Sequence, residues 1–107
     1  MQQYKFISLQ KIEEVENPRH PMNIAVGTVY HGVIENGHFP IAGQLYEFSL
    51  IENPENPKFI GRYFHTSTVQ EILEQKDDYV KFRTHNSIYE LKIIGIYEPP
   101  TSQGWYL

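Results

Sequence analysis

The chain has 107 residues, nine basic and thirteen acidic side chains, a formal charge of −4 and no cysteine. That length accommodates one core and excludes a second, so a single domain over 1–107 is expected, with 99–107 as a C-terminal tail. The absence of cysteine excludes a disulfide scaffold, thiolate metal sites and cysteine catalysis, and the acidic balance argues against a protein that mainly coats nucleic-acid phosphates.

The N-terminal MQQYKFISLQ lacks the layout of a signal peptide, and no apolar run approaches the ~18 residues of a membrane span. A cytoplasmic, non-membrane protein is the expectation. Twelve Ile, six Val and five Thr stand against two Ala and six Leu, with eight Tyr and six Phe besides. Side chains of these types suit pleated, half-buried surfaces better than helices.

In chain order the first strand is expected over 3–9 and the second over 24–34, after a turn at Asn17-Pro18. Asn36-Gly37 ends the second, because Asn and Gly reach positive φ at low cost. A third strand, 44–51, alternates well: Tyr46, Phe48 and Leu50 share one face, Glu47 and Ser49 the other. Turns at Asn53-Pro54 and Asn56-Pro57 lead into a fourth, 58–65. Gly27, Gly32, Gly61 and Gly95 fit bends or bulges where a sheet curls towards closure.

Residues 67–75, STVQEILEQ, read two ways. Ser67 with Gln70, or Thr68 with Glu71, forms a capping box, and Val69, Ile72 and Leu73 recur at helical spacing. Alternatively, Lys76-Asp77-Asp78 is the loop of a hairpin that joins a strand here to one at 79–84. The last hairpin carries its own register. A two-residue turn at His85-Asn86 sets Thr84 opposite Ser87, Phe82 opposite Tyr89 and Val80 opposite Leu91. Arg83 then faces Ile88, Lys81 faces Glu90 and Tyr79 faces Lys92, and a one-residue slip would misplace the core face. The final strand runs over 87–96, before Pro99-Pro100.

Thr66-Ser67-x-Val69-x-x-Ile72, followed by Phe82-x-Thr84-x-Asn86-Ser87-x-Tyr89-x-Leu91, resembles the C-terminal half of small, mostly uncharacterised proteins of bacteriophages and mobile elements. Those proteins read TSxVxxI and then a TxNSxYxL hairpin. The match spans residues 66–91, and its fixed positions are mostly turn and core residues. It implies a small β-barrel of mobile-element origin, favours strand over helix at 67–75, and carries no activity across.

The expected fold is therefore all-β: a small antiparallel barrel or curled sheet of five to seven strands, SH3-like or OB-like, with a short helix at 67–75 as the alternative. Its expected core is Phe6, Ile24, Val26, Tyr46, Phe48, Leu50, Phe59, Val80, Phe82, Tyr89, Leu91 and Ile93.

Chemistry is harder to place. The five histidines lack the short spacings of a zinc site, no serine occupies a G-x-S-x-G elbow, and Gly27-x₄-Gly32 lacks the Lys-Ser/Thr of a phosphate loop. No catalytic residue, metal or cofactor is expected. Two surfaces are candidates for binding. Arg62, Tyr63 and His65, in the aromatic stretch 59–68, combine rings with a cation, as interface hot spots do, and Trp105 in the tail adds a large apolar group. Tyr79, Lys81, Arg83 and Lys92 share an outward face, an arrangement suited to stacking bases and meeting phosphates. The first surface points to a protein partner or a homodimer, the second to a nucleotide or single-stranded nucleic acid; cations on exposed strands also serve simply to prevent edge aggregation.

Overall fold

A computed structural model of the chain describes residues 3–15 and 24–98. Alternating apolar positions and frequent turn residues produce six strands: β1 (Tyr4–Glu14), β2 (Val29–Glu35), β3 (Leu45–Asn53), β4 (Asn56–Lys76), β5 (Tyr79–Thr84) and β6 (Ser87–Tyr97). They form one closed antiparallel barrel in chain order, and β1 pairs with β6 to complete the ring. The order is a plain up-and-down meander, without the Greek-key connection of an OB fold. The described residues include no helix, hence none long and apolar enough to cross a membrane.

The β5–β6 hairpin has the register expected from its sequence, from Tyr79↔Lys92 through Phe82↔Tyr89 to Arg83↔Ile88. Strict alternation buries Val80, Phe82 and Thr84 against Ser87, Tyr89 and Leu91. The Thr84 hydroxyl donates to the Ser87 carbonyl at 3.4 Å across the turn. Tyr46, Phe48, Phe82 and Tyr89 supply the aromatic centre, with Tyr46–Phe82 and Phe82–Tyr89 ring centroids 6.0 and 5.5 Å apart. Leu50 and Ile93 pack against this cluster.

Several expected core positions lie elsewhere, for identifiable reasons. On β1 the inward parity belongs to Ile7, Leu9 and Lys11, so Phe6 is half-buried on the other face, its ring 5.2 Å from that of Tyr97. Residues 24–28 do not join β2: a turn with Gly27 at φ +95° leaves Ile24 half-buried and Val26 exposed. Phe59 is exposed because β4 is irregular at Gly61, where Phe59–Tyr63 spans four residue steps against the two of Ser49–Ile51. Gly61 takes φ +79°, which a side chain would strain.

Lys11 is the one cation in the interior of the described barrel, 1% exposed. Its ammonium donates to both Glu14 carboxylate oxygens at 2.9 and 3.0 Å and to the Ile24 carbonyl at 2.6 Å. The charge is thereby paired, and the chain re-entering at residue 24 is tied to β1.

Residues 67–75 form strand, inside the 21-residue β4. Their helix-like spacing has a different origin. Val69, Ile72 and Gln75 face Thr84, Phe82 and Val80, so β4 advances three residues for every two of β5. Irregularities between Val69 and Glu71 and between Ile72 and Glu74 insert the extra residues. A bulged strand of this kind repeats its inward positions every three residues and so imitates a helical stripe.

Candidate functional site: an aromatic groove beside the β2–β3 seam

The barrel is unevenly sewn. β1 pairs with β6 along nearly its whole length, whereas β2 and β3 pair only at Gly32↔Leu50 and Val33↔Ser49. Close approach at that point depends on Gly32 lacking a side chain: a Cβ there would fall 2.2 Å from the Phe48 ring and 2.6 Å from the Ser49 carbonyl oxygen. Beyond it the strands part, and an open groove of about 770 Å³ occupies the gap.

One wall is a row across three strands, Glu35–Tyr4–Tyr97, set by the pairings Tyr4↔Glu35 and Tyr4↔Tyr97. The opposite wall comes from the β3–β4 arm, through Leu45, Glu47, Ser49, Phe59 and Tyr63. The Phe59 ring meets the Tyr97 ring edge-on at 5.9 Å and joins the two walls, while buried Val33, Ile34 and Phe48 form the floor.

His38 braces the structure at the β2–β3 connection. Its Nε2 lies 2.8 Å from the Glu47 carbonyl oxygen, which can only accept, so the Nε2–H tautomer donates. Its ring stacks on Tyr46 at 5.1 Å, and the Tyr46 hydroxyl donates to the His38 carbonyl at 2.8 Å. Burial pushes the Tyr46 phenol well above its ordinary range, so it stays a donor at any physiological pH.

The groove's polar lining is acidic. Glu35 and Glu47 contribute two carboxylates, and no Lys or Arg lines it among the described residues. Its rim is also unusually apolar for a surface: Tyr63, Phe59 and Leu45 are 67%, 54% and 51% exposed.

The candidate residues divide between two places. Tyr63 lines the groove; His65 is opposite Glu47 in the β3–β4 register, and Arg62 is exposed beside Gly61. Tyr79, Lys81, Arg83 and Lys92 share the outward face of β5–β6, as the register required, and none lines the groove. On that face, acids alternate with the cations. Lys81 stands between Glu74 and Glu90, Arg83 is opposite Glu71, and the Tyr79 hydroxyl donates to Glu90 at 2.5 Å. Desolvation, then the Glu90 hydrogen bond and charge, with Glu74 further off, push the Tyr79 phenol up to about 12. Lys76 lies over its ring, 5.9 Å from the centroid. The Arg83 Nε is buried without a hydrogen-bond partner. Trp105 is outside the described residues.

Tyr4, Glu35, Glu47 and Tyr97 escape sequence reasoning because each is an ordinary outward residue of its own strand. Only the parting of β2 from β3 assembles them. Among the described residues, no three of His, Asp and Glu converge in a way that could hold a metal ion. Comparison with protein-family models, with curated proteins and with solved structures found no match for this chain.

Proposed function

We propose that this protein is a non-enzymatic binding module whose partner, another protein or a second copy of itself, docks at the groove beside the β2–β3 seam. The observation that carries this reading is the open aromatic groove itself. Phe59 and Tyr63 on one wall are more than half exposed, and they face the half-buried rings of Tyr4 and Tyr97 on the other, leaving apolar area which a partner would remove from water. The resemblance over 66–91 to phage and mobile-element proteins suggests a host component as the partner, met in the cytoplasm. The chain-order meander suits an SH3-like reading better than an OB-like one.

The test is an amide-resolved NMR titration of the full chain with short peptides Ac-Val-X-Val-NH2, X being acidic, basic, aromatic or neutral, alongside sedimentation velocity. Peptide binding or self-association that perturbs Glu47, Tyr63 and Tyr97 and is lost in Tyr63→Ala supports the reading. Because Tyr63 is exposed, that variant should keep its stability to within about 0.5 kcal/mol. The reading fails if no peptide moves these resonances and the chain is a monomer indifferent to Tyr63→Ala.

Nucleotide or single-strand binding on the Tyr79/Lys81/Arg83/Lys92 face is a second reading, favoured by their shared orientation. It is the weaker one, since Glu71, Glu74 and Glu90 lie among the cations. Binding of an oligothymidylate that falls steeply with salt and is lost in Lys81→Ala would favour it; absent or salt-insensitive binding removes it.

A further inference from the structure

The lining of the groove specifies more than an apolar occupant. Two carboxylates, Glu35 and Glu47, lie on opposite walls, and the faces and edges of Tyr4, Phe59, Tyr63 and Tyr97 flank the space between them. No Lys or Arg of the described chain lines the groove, the His38 ring there is turned to the Glu47 backbone carbonyl, and neither Glu35 nor Glu47 is ion-paired among the described residues. An anionic occupant would meet like charge, and a purely aliphatic one would leave both carboxylates to be covered without a partner. A planar cation suits both features, because a guanidinium stacks on aromatic faces and forks to carboxylate oxygens, which an ammonium does less well. The volume, about 770 Å³, is within the range of pockets that take a ligand of drug size, which is ample for one guanidinium and its stem.

From this charge complementarity we infer that the groove receives an arginine side chain, presented by an extended, otherwise apolar segment of a partner protein. The inference rests on the groove being the binding site, and it adds the chemistry of the ligand. Glu35 and Glu47 hold the guanidinium, the four rings sandwich it and its stem, and the exposed Leu45 covers a flanking apolar residue.

The test uses the full chain and three probes: Ac-Val-Arg-Val-NH2, its citrulline counterpart (a neutral isostere of arginine), and Ac-Val-Glu-Val-NH2. The arginine peptide should bind at least tenfold more tightly than the citrulline peptide, and the glutamate peptide not measurably. The double variant Glu35→Gln/Glu47→Gln should erase the arginine–citrulline difference while leaving citrulline binding in place. Tyr63→Ala should weaken both about equally. Equal binding of arginine and citrulline at the groove overturns the inference while leaving the groove as the binding site. Arginine-selective shifts confined to the β5–β6 face overturn it as well. Other occupants have their own signatures, and either one overturns the inference. A dimer that Tyr63→Ala dissolves assigns the groove to a second copy, and groove shifts caused by Trp105→Ala without peptide assign it to the chain's own tail.

Discussion

Replacing Gly32 with alanine tests whether the β2–β3 seam is as tight as its geometry indicates. The new methyl carbon would lie 2.2 Å from Phe48 Cδ2 and 2.6 Å from both Phe48 Cε2 and the Ser49 carbonyl oxygen. Ordinary contact begins at 3.4 Å, so the ring must retreat by 3.4 − 2.2 = 1.2 Å and the carbonyl by 3.4 − 2.6 = 0.8 Å. Neither has room. Phe48 is 3% exposed and its ring is hemmed in by Phe64 at 5.3 Å and Tyr46 at 6.0 Å. The Ser49 backbone belongs to one of the two residue pairs that close the barrel there.

Overpacking of a filled core costs about 1–3 kcal/mol, and the immobile backbone puts this site at the upper end, near 3 kcal/mol. For a domain of this size that lowers Tm by about 10–20 °C. Gly95 is the internal control, because the same substitution there brings its Cβ only to 3.4 Å from the Phe6 ring. Gly95→Ala should be neutral or stabilising by up to about 1 kcal/mol, through the unfolded chain's lost freedom. Urea unfolding followed by far-UV circular dichroism reads both, with the midpoint moving and the slope unchanged. A loss below about 0.5 kcal/mol at Gly32, or equal losses at the two glycines, would refute the account of the seam.

Three further outcomes are expected. Lys11→Ala leaves the Glu14 carboxylate and the Ile24 carbonyl without their cation and should cost about 3 kcal/mol, whereas Lys11→Met keeps the packed stem and should cost less; equal urea midpoints for wild type and the alanine variant would contradict this. Gly61→Ala should cost about 1–2 kcal/mol through φ +79° alone, since open space surrounds the new methyl, and Gly61→Asn should recover part of the loss in the same assay. The folded Tyr79 phenol holds its proton up to about 12 and the unfolded one releases it near 10, so the folded state binds more protons between those values and stability falls as pH rises through that window. Absorbance titration at 295 nm should show Tyr79→Phe removing the step near 12, with the still later Tyr46 step kept, and Glu90→Gln moving the Tyr79 step lower, though not to 10, because desolvation persists.

The fold class was legible in the sequence because it follows from local, additive features. β-branched and aromatic residues favour pleated strands, Asn-Gly and Asn-Pro mark where ladders stop, and two-residue parity fixes a hairpin register. The β5–β6 pairings were accordingly readable down to the partner of each residue. Parity fails where a strand gains or loses a residue. The bulges of β4 turned a strand into an imitation helix at 67–75, and the irregularity at Gly61 brought Phe59 to the surface. On β1 the sequence reading placed Phe6 inward, but Ile7 takes that side, because adjacent apolar residues satisfy either parity until a neighbouring strand selects one.

Tyr63 could be singled out from its aromatic neighbourhood, and Tyr79, Lys81, Arg83 and Lys92 could be assigned to one face. The sequence set Glu90 of β6 opposite Lys81 but could not show that Glu71 and Glu74 of β4 stand beside Arg83 and Lys81, because the β4–β5 register depends on the same bulges. The groove was less accessible still. Glu35, Tyr4 and Tyr97 belong to three strands, Glu47 and Phe59 to two more, and none differs locally from any outward strand residue. They converge because a closed ring must place its last strand beside its first, and because β2 and β3 separate just past Gly32. Local preference therefore determined the strands and the charge of each surface residue. Ring closure and the uneven pairing around it decided which of those residues face one another across a space large enough to hold a ligand.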